Sequence, residues 1–262
     1  MRAFPTVVLS CLVVPAVFAQ GRAKMDFETY DPVSTLVVPE HRLTRARFPF
    51  IDVHNHQWDM RTQDVPALVA QMDTLNLAVM VNLSGRSGAY LTQCLANART
   101  HAPTRLAHFA NLEFRGFGEP GWIERTVAQL EKDVEAGAVG LKFFESYGLN
   151  VKDQAGKRVP VDDSRMDPVW TTCARLGIPV LIHTAAPKSF WDPVDEKNER
   201  WLELVTHPNR RRSATHPAPW ETAVGEQKAL FKKHPRTTFI AAHFAWQAND
   251  LARIGGVLDE LP

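Results

Sequence analysis

Two histidines one residue apart, His54 and His56, close a short apolar run, Phe48-Pro-Phe-Ile-Asp-Val53. The aromatic and β-branched content of Phe48–Val53 predicts a buried strand. Side chains alternate along a strand, so His54 and His56 share a face while Asn55 takes the other. With a rise of about 3.3 Å per residue, the two imidazoles stand roughly 7 Å apart, close enough to converge on one ion. Such a short motif also arises by chance. Three later residues change its weight: Lys142 in Gly140-Leu-Lys-Phe-Phe144, His183 at the end of Val180-Leu-Ile, and His243 at the end of Phe239-Ile-Ala-Ala. Taken singly, a lysine can snorkel to a rim and a histidine can be hydrogen bonded in a core. Taken together, four strands each carry a polar group at the same end, and a buried lysine is costly unless something offsets it. Ionisable groups clustered in a cleft mark a site.

Three imidazoles with an open fourth position are a zinc-binding set, able to lower the pKa of bound water to about 7. Neutral histidine suits the task because it ligates without adding positive charge beside a cation.

The elements that must hold these residues follow a regular alternation. Strand-like runs are predicted at 48–53, 78–83, 106–112, 139–144, 178–183 and 238–243. Helical patterns fall at 65–75, 89–99, 123–136, 167–176, 222–233 and 250–258. Gly137 and Gly177 close two of the helices, and Pro168 opens one. Strands alternating with helices imply right-handed βαβ units and a parallel sheet. The expected class is α/β, of the (β/α)8 TIM-barrel type, with six βα units present and the last two missing. An eight-fold barrel needs about 250 residues, and the stretch after His183 uses many of those available. A complete open sheet is the competing architecture.

Before the barrel domain, 48–262, residues 1–19 read as a signal peptide: Arg2, an apolar Val7–Val14 and small residues up to Ala19, with cleavage before Gln20. A lipoprotein signal at Cys11 fits less well. Residues 20–47 form an N-terminal extension with one strand-like run, Thr35–Val38. The mature chain is therefore expected to be exported, periplasmic or secreted, and free of the membrane once the signal is removed. Its remaining cysteines, Cys94 and Cys173, fall on helices separated by a third, too far apart for a disulfide, so both are expected as buried thiols. A net charge of +1 gives no global field for nucleic acid or an anionic membrane. Arg210-Arg211-Arg212 lacks interleaved aromatics and reads as solvated surface. The sequence leaves monomer and homo-oligomer equally open.

His54-Asn55-His56, His183 and His243, in this order after strands one, five and six, resemble the metal-dependent amidohydrolase superfamily. So do Ala138-Val-Gly-Leu-Lys-Phe143, Phe190-Trp-Asp-Pro-Val-Asp-Glu-Lys-Asn-Glu-Arg-Trp201 and His234-Pro-Arg-Thr-Thr-Phe239. Within the superfamily, the chain is similar to the amidohydrolase 2 branch, which includes α-amino-β-carboxymuconate-ε-semialdehyde decarboxylase. The resemblance implies that His54, His56 and His183 bind a first divalent ion, zinc foremost, with one or two ions in all. It makes His243 a second-site ligand or the catalytic acid/base. Lys142 takes the place where some members carry a carboxylated, metal-bridging lysine and others carry no bridge. An aspartate after strand eight, which the family uses to accept the water's proton, has no counterpart in these 262 residues.

Three functions remain open at this point. A metal-dependent hydrolase would act on an amide, lactone or ester of a small molecule. A non-oxidative decarboxylase would act on a small carboxylated compound, with His243 as proton donor. A non-catalytic exported binding protein is the third. The long stretch 185–225, with Trp191, Trp201, Trp220, His207 and His216, would either roof the pocket or bury its own underside. Arg86, after strand two, would pair a substrate carboxylate or face solvent.

Overall fold

The computed structural model describes residues 30–31, 33–39, 41–212 and 216–261. Met1–Glu40 and His41–Pro262 form separate compact units. The expected signal peptide, 1–19, lies outside the described residues, as does most of the extension. Thr35–Val38, expected as a strand, has no regular structure. An extended run gains stability only by pairing, and none of the described strands takes it as a neighbour.

Six strands follow one another around a single sheet in chain order, all parallel. They are β1 (Phe50–Asn55), β2 (Leu77–Asn82), β3 (Leu106–Ala110), β4 (Gly140–Phe143), β5 (Val180–Ile182) and β6 (Phe239–Ala241). Helices α1 (Val65–Leu75), α2 (Gly88–His101), α3 (Trp122–Ala136), a kinked turn α4 (Ser146–Leu149), α5 (Asp167–Leu176), α6 (Trp201–Thr206), α7 (Trp220–Lys233) and α8 (Leu251–Glu260) alternate with them. The sheet curls as a half-barrel, the incomplete TIM-barrel type expected from the alternation. No described helix is long and apolar enough to cross a membrane.

Local chemistry sets the element ends. The Asp64 carboxylate accepts from the Ala67 N–H at the start of α1, and Asn76 leaves it in the left-handed region at φ 65°. Gly177 ends α5 in the same way, at φ 68°. Several predicted strands prove shorter. β1 starts at Phe50, because Pro49 has no N–H to give to a ladder, and it runs on through His54 to Asn55. β3 stops at Ala110, where Asn111 turns its side chain to the Leu83 carbonyl. β5 and β6 stop one and two residues before His183 and His243, which therefore stand beyond the last ladder position.

The strand period sorts the two layers. On β4, Leu141 and Phe143 face outwards into the main core, with Leu130 of α3, Trp170 and Cys173 of α5 and Leu230 of α7. Gly140 and Lys142 take the opposite face. The Phe109 ring occupies the space where any Cβ at Gly140 would stand, with an approach of 2.4 Å, so only glycine fits there. Leu83, Phe109, Leu181 and Ala242 fill the concave side. Cys94 and Cys173 are free and buried, as expected, and burial pushes their thiols up to about 11 and about 12. Among the described residues, β1 and β6 each pair on one side only. Ile51 and Val53 of β1 are more than half exposed, and α8 has no buried residue at all.

Candidate metal centre

The curl brings the ends of β1, β4, β5 and β6 to one rim. There the rings of His54 and His56 lie 5.5 Å apart between centroids, His54 and His243 5.1 Å, and His183 and His243 4.7 Å. Lys142 is 1% exposed, and its ammonium has no hydrogen-bond partner but lies 5.5 Å from the Phe144 ring centre. The four histidines and the lysine singled out from the sequence thus meet at one place, contributed by four strands.

Their electrostatics follow from crowding. Burial first, then the Lys142 charge, holds His54 down to about 4 and His183 to about 3. The same two causes lower His56 and His243. The imidazoles are therefore neutral at pH 7, the state in which a ring nitrogen can donate to a cation. Lys142 is itself pushed down to about 8 by burial.

Polar groups on β1 and β2 set the His-x-His segment. Asp52 accepts from the backbone of His54 and from the Asn55 side chain, and Asn55 in turn accepts from Gln57. Buried Asn82 pairs with the backbone of Gln57 in both directions, at 2.9 and 3.1 Å. Sequence reasoning missed Trp58, which stacks on His56 at 5.2 Å with planes 10° apart, and Phe144, which lies against both. The signal was present: Trp58 continues the two-residue spacing of His54 and His56. Trp246 was missed as well. Its ring lies 4.5 Å from His243 and 5.6 Å from His183.

The turn after β6 carries backbone strain. His243, Phe244, Ala245 and Trp246 all hold φ between 52° and 57°, a left-handed turn without a glycine. Each such residue costs roughly 1–2 kcal/mol. Phe244 is the position to test, because its side chain is 65% exposed and little packing would be lost. Phe244→Gly is expected to raise stability by about 1 kcal/mol, read as a higher melting temperature. A lower one would mean that the turn is not strained.

The stretch after β5 buries part of its own underside and lines a cavity that reaches His243. Phe190, Leu204 and Ala186 form a small core of its own, and Trp220 and Trp191 donate to the Ala186 and Ala218 carbonyls. Its outer segment, from Pro187 to Arg200, walls a cavity of about 770 Å³ whose other side is His243, Phe244 and Trp246. His207 is exposed and His216 half-buried beside Trp191, and neither reaches the rim cluster. Trp201 lies on α6, partly exposed. Arg86 is exposed and stacks on Tyr90, 4.4 Å from the ring centre, as the solvent-facing alternative requires. Arg210 pairs with Glu203, and Arg211 and Arg212 donate to the Leu204 and Asn209 carbonyls.

The donor set fits a divalent cation. Neutral imidazoles are zinc donors, and neighbouring rings here stand 4.7 to 5.5 Å apart between centroids. The buried His183 Nε2 lacks any partner, a cost that a ligand would remove. As they stand, no three described His, Cys, Asp or Glu side chains are arranged to hold a metal ion, so the fit is one of donor chemistry and not of a formed coordination sphere.

A curled parallel sheet with ionisable side chains gathered at its carboxyl rim is the arrangement of the (β/α) barrel class, which places its sites at that rim. More narrowly, residues 51–262 match the family described as Amidohydrolase (Amidohydro_2), and the chain belongs to that family. No curated protein matches the sequence. Among solved structures, the chain is similar to a 4-oxalomesaconate hydratase from Rhodopseudomonas palustris (17% identity over 77% of this chain and 55% of that one, TM-score 0.47). It is similar also to an amidohydrolase from Mycobacterium avium subsp. paratuberculosis K-10 (16%, 76% and 52%, TM-score 0.45). A third is the manganese-bound 5-carboxyvanillate decarboxylase from Novosphingobium aromaticivorans DSM 12444 (16%, 74% and 56%, TM-score 0.43). The chain spans about half the length of each of these solved proteins.

Proposed function

We propose that the chain carries the metal-binding half-barrel of a metal-dependent hydrolase acting on an amide, lactone or ester of a small molecule. The observation that carries this reading is the meeting of four neutral imidazoles at one rim, beside a buried lysine without a hydrogen-bond partner. His54, His56 and His183 would hold the ion, zinc foremost, with His243 and Lys142 alongside it for a second ion or for proton transfer. Such an ion, when bound, lowers the pKa of its water and polarises a carbonyl oxygen. The chain's own residues do the rest. The segment 187–200 and Trp246 wall the cavity and exclude water from one side, and His243, on that wall, faces any bound molecule. A neutral imidazole there can take a proton from an attacking water or pass one to a leaving group.

One observation favours a second reading, the non-oxidative decarboxylase. Among the described residues, no aspartate or glutamate is hydrogen bonded or ion-paired to the ring of His54, His56, His183 or His243, Asp52 reaching only the His54 backbone N–H, so the rim's proton carriers are imidazoles. Decarboxylation needs a proton donor for the carbon left behind and no attack by water, a role His243 can fill. The deciding experiment loads the protein with zinc or manganese, measures bound metal, and assays lactone and amide hydrolysis against carbon dioxide release from benzoate-type acids. Hydrolysis alone supports the first reading and carbon dioxide release alone the second. A full-length relative purified without bound zinc, manganese or iron would favour the binding-protein reading. The same proposal places the mature protein outside the cytoplasm, on the strength of Arg2 and the apolar Val7–Val14, and the N-terminal sequence of the secreted form would show cleavage before Gln20.

A further inference from the structure

Ser84 lies just past the end of β2 and is 1% exposed, and its hydroxyl is 2.7 Å from His56 Nδ1. Among the described residues, His56 is the one rim imidazole whose ring nitrogen is hydrogen bonded to another side chain. The serine is itself fixed, because its backbone N–H donates to Asn82 Oδ1 at 3.0 Å, the same oxygen that receives the N–H of Gln57. One buried amide therefore ties the residue after His56 to the residue that holds the His56 ring. Trp58 covers one face of that ring, so rotation about χ2 would break both a hydrogen bond and a stack.

From this geometry we propose that Ser84 is a positioning residue, which pins Nδ1 of His56 and leaves Nε2 as the nitrogen presented to a cation at the rim. A ligating imidazole donates its second N–H to a fixed partner, which sets both tautomer and ring orientation. When a cation takes the Nε2 lone pair, Nδ1 must carry the proton, and the Ser84 oxygen is in place to accept it. The other three imidazoles are held by ring packing alone and have no such hydrogen-bonded anchor among the described residues. His56 is thus the fixed point of the set. The inference rests on the metal-binding reading of this rim, and its test separates the two.

Zinc affinity is measured by chelator competition for the wild-type chain, Ser84→Ala and Ser84→Thr, with the His56 ring nitrogens followed by 15N NMR with and without zinc. Loss of an outer partner of a ligand costs roughly 10–100-fold in metal affinity, and that is the loss expected for Ser84→Ala. Ser84→Thr keeps the hydroxyl and is expected to restore binding to within a few-fold. In zinc-loaded wild type, Nε2 should carry the metal shift and Nδ1 the proton. Equal zinc affinity in wild type and Ser84→Ala, or metal on Nδ1, would overturn the role given to Ser84 and leave the metal reading intact. If the wild type binds no zinc, the metal reading fails. The metal-free spectrum still decides the contact, because Ser84→Ala must shift His56 Nδ1 if the hydroxyl holds it. Should Ser84→Ala not fold, the nitrogen assignment in wild type alone decides.

Discussion

Lys142→Met is expected to stabilise the metal-free protein by about 3 kcal/mol at pH 7. The ammonium is buried without a hydrogen-bond partner, and burial drops its pKa from 10.5 to about 8. Each unit is worth 1.36 kcal/mol, so the folded chain carries a penalty of about that size wherever the lysine is charged in both states. Methionine fills a similar volume and brings no charge. The pH dependence gives the sign. Below pH 8 both folded and unfolded chains hold the proton, and the penalty is complete. Between pH 8 and 10.5 the unfolded chain holds a proton that the folded chain has released, so wild-type stability climbs with pH and the advantage of the variant fades. Urea denaturation of both proteins at pH 7 and pH 10.5 measures it. A variant less stable than wild type at pH 7 would mean that the ammonium is compensated. A residue whose removal strengthens the fold is one retained for another purpose, the usual signature of a functional group.

Removing the His183 imidazole is expected to have the largest effect on ion binding. In His183→Ala, divalent metal affinity should fall by more than about 100-fold, because loss of even an outer partner costs 10–100-fold. Equilibrium dialysis against zinc or manganese reads it, and unchanged binding would remove His183 from the ligand set. The same residue shapes the acid limb of the stability profile. Its folded pKa of about 3 lies below the ordinary 6.5. As pH falls from 6.5 towards 3, the unfolded chain takes up a proton that the folded chain refuses, and stability is lost across that window. His54, at about 4, adds to it, as does His108, a buried histidine of β3 also held at about 4. The alanine variant should therefore lose less stability between pH 6.5 and pH 4 than wild type.

Much of this site was legible in the sequence because it depends on parity and on strand ends. Apolar runs closing on His54, His56, His183 and His243 gave both the sheet and the rim, and Lys142 stood out as a charge within an apolar strand. The helix ends at Gly137 and Gly177 were equally clear, since few residues enter the left-handed region. What stayed hidden depends on neighbours far away in the chain. Ser84 is an ordinary serine until β2 is laid beside β1, and nothing in Ala242–Trp246 announces a left-handed turn, because glycine, its usual marker, is absent. Thr35–Val38 failed for the opposite reason. Its residues favour a strand, but a strand forms only where a partner ladder accepts it.

The pairing of β1 with β2 holds a last consequence. Phe50 stands opposite Leu77 and Asn55 opposite Asn82, yet between them the ladder slips twice, once by a residue on each strand and in opposite senses. The two errors cancel over five residues. The number of residues before His54 therefore matters more than their identity, since one deletion anywhere in Ile51–Val53 would undo the cancellation and turn both imidazoles away from the others. This strand should accept changes of letter far more readily than changes of length.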